Sequence, residues 1–286
     1  MGAEPRISEF LKARRAAVEP AQLGLTGGAA RRRVRGLRRE EAAAVSGISV
    51  DYYTRIEQGR GGNVSDDVLR AVARGLRMTA DEHAYLRNAS HWAATGRGCA
   101  PDAPPEPPLV VRPGVQALLD SMETVPALLY GRALDVLAWN RLGGLLWPEL
   151  VASPPEDRNS AKRLFLDGAD AELRHPDLAE LRRLEVAVLR AESGRNPEGR
   201  RLCQVVGELR ERSTEFRRLW ESQVVEEKTH GVKRVRLPST GQLLELRYET
   251  LRLPEADSEM RIVTYSAVPG SETAEALREL AAGVTA

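Results

Sequence analysis

The stretch Arg31–Arg60, RRRVRGLRREEAAAVSGISVDYYTRIEQGR, constrains this chain more than any other. It reads as a basic arm, a short helix, a glycine turn and a second helix closed by another glycine. The first helix is expected from about Arg38 to Ser46. Gly47 then supplies the left-handed backbone of a sharp turn at no steric cost. Ser49 offers a hydroxyl as N-cap for a helix that runs to about Gln58, where Gly59 stops it. On that helix Tyr53 and Ile56 point one way, toward a core, while Val50, Asp51, Thr54, Arg55 and Gln58 share the opposite face. Two helices joined by a tight turn, the second with a free polar face, have the geometry that enters a DNA major groove.

The residues Gly36-Leu37-Arg38-Arg39-Glu40-Glu41, Ala43, Gly47-Ile48-Ser49 and Ile56-Glu57-Gln58-Gly59-Arg60 resemble the lambda-repressor-like (XRE) helix-turn-helix family. Ala42 and Val45 stand where that family usually has larger aliphatics, so the core under the first of the two helices is expected to be thin. On that reading Ala42→Leu should stabilise the domain.

Helical periodicity around the pair completes an all-α, five-helix domain over residues 1–97. Ile7 to Val18 is a first helix, Ser65 caps a fourth, and Thr79 caps a fifth that runs to about Ala94. Arg31, Arg32, Arg33 and Arg35 can track phosphates or enter a narrow minor groove, or be a solvated charge run. Arg38 and Arg39 sit where the helix dipole disfavours cations, which makes sense beside a phosphate; the position matching Arg39 touches DNA in the resembling repressors. By side-chain chemistry Arg55 can pair with guanine, Asp51 can accept from cytosine, and Val50 can meet a thymine methyl. Ser49 lies at the same helix end, and Tyr52, Thr54 and Arg60 are placed for phosphate oxygens. Domains of this type bind pseudo-palindromic double-stranded DNA in pairs, so a homodimer is expected.

Charge supports this division. Residues 1–97 carry 17 Lys or Arg against 11 Asp or Glu, whereas the remainder carries 25 against 30. A basic third on an acidic remainder suits a nucleic-acid reader that carries a second module. No apolar run approaches the length of a membrane span, and no signal-peptide apolar core is present, so a cytoplasmic protein with no membrane partner is expected. Cys99 and Cys203 read as two lone thiols, which argues against a disulfide framework or a thiolate metal site.

Prolines 101, 104, 105, 107, 108 and 113 mark a semi-rigid linker over residues 98–113. A second domain, 114–286, opens with a short helix and two extended runs, Ala127–Tyr130 and Leu134–Trp139. A run of helices follows, then three more strands, which fits an antiparallel sheet with helices on one face and an α+β chain overall. A strand ending Trp139-Asn140 and feeding a helix is similar to a PAS-type sensor. More closely, Leu134–Asn140, Arg158-Asn159, Phe216–Trp220, Tyr248–Leu251 and Tyr265 resemble the MmyB-like ligand-binding domain that follows helix-turn-helix modules in actinobacterial regulators. Gln223 and Leu237 stand where that family is expected to have histidines.

No catalytic constellation emerges, and neither a metal site nor a cofactor is expected. His83, His91, His175 and His230 lack metal-ligand spacing, and no phosphate loop or nucleophile elbow occurs. The resemblance instead implies a small-molecule pocket, with long-chain fatty acids or similar apolar signals as the ligand class. Candidate walls on the strands are Leu128, Tyr130, Leu137, Trp139, Leu244, Leu246, Tyr248 and Tyr265. Trp147, Phe165 and Trp220 are candidates from the helices, with Asn140, Arg158 and Asn159 as polar anchors. The same apolar residues equally serve a domain core, and Asn140 equally reads as a helix cap. The chain therefore reads as a DNA-binding regulator with a ligand-sensing domain. The alternative is a second domain that holds no ligand and serves dimerisation or protein interaction.

Overall fold

In the computed structural model, described over residues 7–25, 36–95, 106–254 and 258–283, packing gathers the chain into two units. The first unit comprises Met1–Pro104 together with Arg190–Gly207 and Arg218–Glu227; the second comprises Pro105–Leu189, Glu208–Arg217 and Lys228–Ala286. Half of the expected linker, residues 98–105, and the arginines at 31, 32, 33 and 35 lie outside the described residues.

Five helices of the first unit follow the apolar spacing of the sequence: α1 (Ile7–Ala17), α2 (Arg39–Val45), α3 (Val50–Glu57), α4 (Asp66–Gly75) and α5 (Ala80–Thr95). The starts of α4 and α5 have local causes. The Ser65 hydroxyl accepts from the Val68 N–H, and Thr79 and Glu82 exchange reciprocal bonds of 3.2 and 3.0 Å as a capping box. Gly47 takes φ 66° between α2 and α3, the left-handed turn the sequence calls for. Gly36 meets a different demand: a Cβ there would lie 2.4 Å from the Arg15 carbonyl oxygen, so the chain entering α2 can press onto α1 only as glycine.

Phe10, Leu11, Leu37, Tyr53, Ile56, Val72 and Tyr85 form the core of this unit, with Phe10 and Tyr85 edge-to-face at 4.8 Å. Ala191 and Val225, far along the sequence, belong to the same buried cluster. That is why packing does not divide the chain at a single linker. Ala42 and Ala43 are fully buried, so the alanines of α2 are core residues. Cys203 corrects the sequence expectation of a lone thiol, because it is disulfide-bonded; Cys99 lies outside the described residues.

The second unit is built on a five-stranded antiparallel sheet of order β2-β1-β5-β4-β3. Its strands are β1 (Ala127–Tyr130), β2 (Val136–Trp139), β3 (His230–Arg236), β4 (Leu243–Arg252) and β5 (Arg261–Ser266). The helices, in chain order, are α6 (Pro113–Asp120), α7 (Arg141–Leu146), α8 (Pro148–Ala152), α9 (Ser160–Leu166), α10 (Ala169–Arg174), α11 (Leu178–Arg195), α12 (Arg200–Arg212), α13 (Thr214–Glu221) and α14 (Glu272–Ala282). Residues 190–195 of α11, 200–207 of α12 and 218–221 of α13 count with the first unit by packing. The overall arrangement is the α+β class read from the sequence.

Strand alternation sorts the sheet into two faces. Pairing sets Leu128 opposite both Trp139 and Val263, Tyr248 opposite Tyr265, and Lys233 opposite Leu246, so these side chains share one face. Ala127, Leu129, Ala138 and Ile262 emerge on the other, where Val115 and Leu119 of α6 cover them. Between β1 and β2 the backbone turns left-handed at two consecutive non-glycine residues, Ala133 (φ 50°) and Leu134 (φ 67°). Such residues are costly unless held from outside. Asn159 holds them: its Nδ2 donates to the Ala133 carbonyl at 2.7 Å and to Asp135 Oδ1 at 2.8 Å.

Candidate nucleic-acid interface and ligand site

The α3 helix presents the division expected of a reading helix. Tyr53, Ile56 and Glu57 are buried, whereas Val50, Asp51, Arg55 and Gln58 are exposed. Tyr52 and Thr54 are half-buried at its margins, and Arg38 and Arg60 are exposed at either end of the helix pair. Ser49 is occupied as the N-cap, its Oγ accepting from the Tyr52 N–H at 3.2 Å.

Beneath the face lies an ionic knot that the sequence reading missed. The fully buried Glu57 carboxylate accepts from Arg15 Nε at 2.8 Å and from Arg39 Nε at 2.7 Å, joining α1, α2 and α3. Burial would raise this carboxyl, but the two arginine hydrogen bonds outweigh it and hold Glu57 below its ordinary range. Arg39, expected at DNA, thus has a structural bond through Nε; its side chain is still 42% exposed, so the rest of the guanidinium reaches solvent. The signal was available as a glutamate in the buried phase of α3, one residue after Ile56.

In the second unit, the predicted walls separate. Leu128, Tyr130, Trp139, Leu244, Leu246, Tyr248 and Tyr265 share the one sheet face described above. Trp147 joins them, its ring 4.5 Å from that of Tyr265. Leu137 instead packs with the α6 cluster. Phe165 is buried and meets Phe216 edge-to-face at 5.1 Å. Trp220 falls in the first unit, with the Arg190 guanidinium 4.1 Å from its ring centroid.

The predicted polar anchors are spent on structure. Asn140 Oδ1 accepts from Gly143 and Ala127, while its Nδ2 donates to the carbonyls of Met122 and Val125. That exhausts an amide side chain, so Asn140 is a cap and a loop clamp. Asn159 caps α9 through Lys162 and pins the left-handed turn. Arg158 donates to the Ser153 and Val151 carbonyls and stacks 5.2 Å over Trp139.

Charged groups that the sequence reading passed over gather on the aromatic face. Lys233, 7% exposed, points inward from β3 in phase with Val235 and Leu237, its Nζ 5.3 Å from the Trp147 centroid and 6.0 Å from that of Tyr265. Glu185 is buried and accepts from Ser160 Oγ at 3.3 Å and from Lys228 Nζ at 3.4 Å; Lys228 also lies 4.9 Å over Tyr248. Burial, reinforced by the Lys228 and Arg174 charges, pushes the Lys233 ammonium down to about 7. Burial, with Lys233 and Arg174 as neighbours, pushes the His175 imidazole down to about 3. Burial, reinforced by the neighbouring Tyr130 phenol, carries the Tyr265 phenol well up. An inward lysine in a strand of otherwise apolar inward positions was the available signal.

The two halves of the chain have separate likenesses. A helix-turn-helix domain family matches residues 6–86, and the MmyB-like transcription regulator ligand binding domain family matches residues 111–280. No curated protein matches the chain.

Proposed function

The chain belongs to the MmyB-like transcription regulator ligand binding domain family, and from that premise we propose a sequence-specific DNA-binding regulator whose second unit senses an apolar small molecule. The observation that carries the DNA half is the exposed face of α3, with Val50, Asp51, Arg55 and Gln58 in solvent over a buried Tyr53-Ile56-Glu57 seam. A polar face of that kind on the second helix of a helix-turn-helix is free to enter a major groove. Arg55 and Asp51 read base edges; Arg38, Arg60 and the outer part of Arg39 grip phosphates. The protein acts as a homodimer on pseudo-palindromic double-stranded DNA in the cytoplasm. Among the described residues, no helix is long and apolar enough to cross a membrane.

The sensing half is supported by the aromatic face of the sheet, where Trp147, Tyr265, Tyr130 and Tyr248 are joined by charged groups no folding core requires. It acts by binding rather than catalysis. Ligand changes DNA affinity to the extent that it favours one arrangement of the dimer over another. The test is a titration of medium- and long-chain apolar compounds into the protein bound to DNA from beside its own gene. A shift in operator affinity with ligand is expected. An affinity that never moves, with a dimer intact, supports a second domain for interaction alone.

A further inference from the structure

A cavity of about 380 Å³ opens in the first unit and shares no residue with the aromatic face of the sheet. The start of α4 lines it with Asp66 and Leu69, and α5 with Arg87, Asn88, Ser90 and Trp92. Helical spacing explains the α5 wall: Arg87 and Asn88 stand one turn before His91 and Trp92, so the four share a side. Trp92 is fixed there, its Nε1 donating to the Gly194 carbonyl at 3.1 Å and its ring edge-to-face with His91 at 5.4 Å. The cap at Ser65 makes Asp66 and Asp67 the first residues of α4. Asp67 pairs with Arg70, whereas Asp66 has no cation within ion-pair distance among the described residues. Two arginines reach the cavity, and Arg195 pairs with Glu227. Arg87 meets no carboxylate among the described residues, so Asp66 and Arg87 line one cavity with opposite charge and do not meet each other.

The neutral groups on the same walls are also unspent. Among the described residues no hydrogen bond reaches the side chains of Asn88 or Ser90, although Ser90 is only 7% exposed. Polar side chains withdrawn from water for the sake of folding are ordinarily hydrogen-bonded, so unspent ones around a cavity point to a missing partner. The dipole of α4 accounts for an acid at position 66, but not for an unanswered arginine on the same cavity. The volume falls within the range of about 300–1,000 Å³ that small-molecule sites occupy. We propose that this cavity binds an α-amino acid with a large apolar side chain, Arg87 taking its carboxylate and Asp66 its ammonium. Charge decides the class. A simple anion would be repelled by Asp66, and a simple amine by Arg87, whereas a zwitterion answers both. Trp92 and Leu69 supply apolar surface for the side chain, and Asn88 and Ser90 supply further polar contacts for the head. The site is a second small-molecule input, and it does not depend on what the sheet of the second unit binds.

The test is calorimetry and tryptophan fluorescence on the full-length protein at neutral pH with L-leucine, L-methionine and L-phenylalanine. At least one is expected to bind saturably. Its analogues lacking the ammonium or the carboxylate should each bind wild type about tenfold more weakly, the loss of one charged hydrogen bond. Asp66→Asn should erase the advantage over the acid analogue, and Arg87→Gln the advantage over the amine. Asp67→Asn, whose partner is Arg70, should change neither. Absence of saturable binding by all three amino acids overturns the site. Equal binding of an amino acid and its two analogues by wild type overturns the zwitterion assignment, and that comparison needs no variant to fold. An affinity that neither Asp66→Asn nor Arg87→Gln alters, with both folded by circular dichroism, overturns it as well.

Discussion

Glu57 and Arg15 meet at 2.8 Å across 42 residues of chain, and the glutamate is fully buried. Arg39 closes the same carboxylate from the other side, so α3 is keyed to α1 and α2 by one anion between two cations. Breaking a buried pair strands a charge, typically at about 3–5 kcal/mol. Because Arg39 remains partly in solvent, Glu57→Gln should cost toward the low end, about 3 kcal/mol, in urea unfolding followed by circular dichroism. The folded carboxyl lies below its unfolded value, so this contribution is present above pH 4.5 and lost as pH falls through the folded value. A wild-type and Glu57→Gln pair should therefore converge in stability as the solution is acidified.

Lys233 predicts a rise in the same direction over a more alkaline window. Its folded value near 7 lies below the unfolded 10.5, so the unfolded chain binds more protons between those limits. Stability therefore rises with pH from about 7 to 10.5, by an amount on the order of a few kcal/mol for a site this buried. Lys233→Met lacks the charged form and should be more stable than wild type at pH 7, with the gap closing by pH 10. Thermal melts of both proteins across that range check it, and a less stable Lys233→Met would contradict an unpaired ammonium. His175 adds a separate acid limb: with folded and unfolded values near 3 and 6.5, its contribution falls away as pH drops through that interval.

On the DNA side, Arg55 and Arg60 should respond differently although both are exposed arginines. Arg55 stands on the reading face of α3, and removing a base contact costs about 1–3 kcal/mol. Arg55→Ala should weaken operator binding by that amount and relax preference at one position of each half-site. Arg60 follows the helix and, on the proposed reading, meets phosphate instead of a base edge. Arg60→Ala should weaken operator and random DNA alike and reduce the salt slope by about one per subunit. Binding isotherms at several salt concentrations on both DNAs separate the two.

What was legible in the chain follows period and punctuation. Ser49, Ser65, Thr79 and Asn140 all cap the helices their spacing suggests, because a cap is a local bond within three residues. Ala127–Tyr130 is read to the residue, as an apolar run between Pro126 and Gly131. Long-range partners were not legible. Nothing near Ala191 or Val225 announces that they complete the core of the first unit. Arg158 and Asn159 were singled out by the family resemblance, but their partners, the Ser153, Val151 and Ala133 carbonyls, appear only once the turns fold. Lys233 escaped for a different reason: a lysine in a strand is ordinarily solvent-facing, and only the phase set by Val235 and Leu237 places it inside.

The alanines of α2 reverse an expectation. From sequence, Ala42 seemed to leave room that leucine would fill. In the fold, Ala42 and Ala43 are fully buried. The end of α2 also approaches α4 so closely that a Cβ on Gly75 would lie 2.8 Å from the Val45 carbonyl oxygen and from Ser46 Oγ. Small residues are there because the backbones meet, not because the core is short of material. Leucine at 42 would have to push α2 away from α3 and α4, and overpacking of this sort costs about 1–3 kcal/mol. Ala42→Leu should thus lower the unfolding midpoint, whereas Ala44→Leu, at an exposed position of the same helix, should leave it nearly unchanged. Urea titrations of the two variants beside wild type decide the matter, and a stabilised Ala42→Leu would show that α2 has space the close approach of α4 denies.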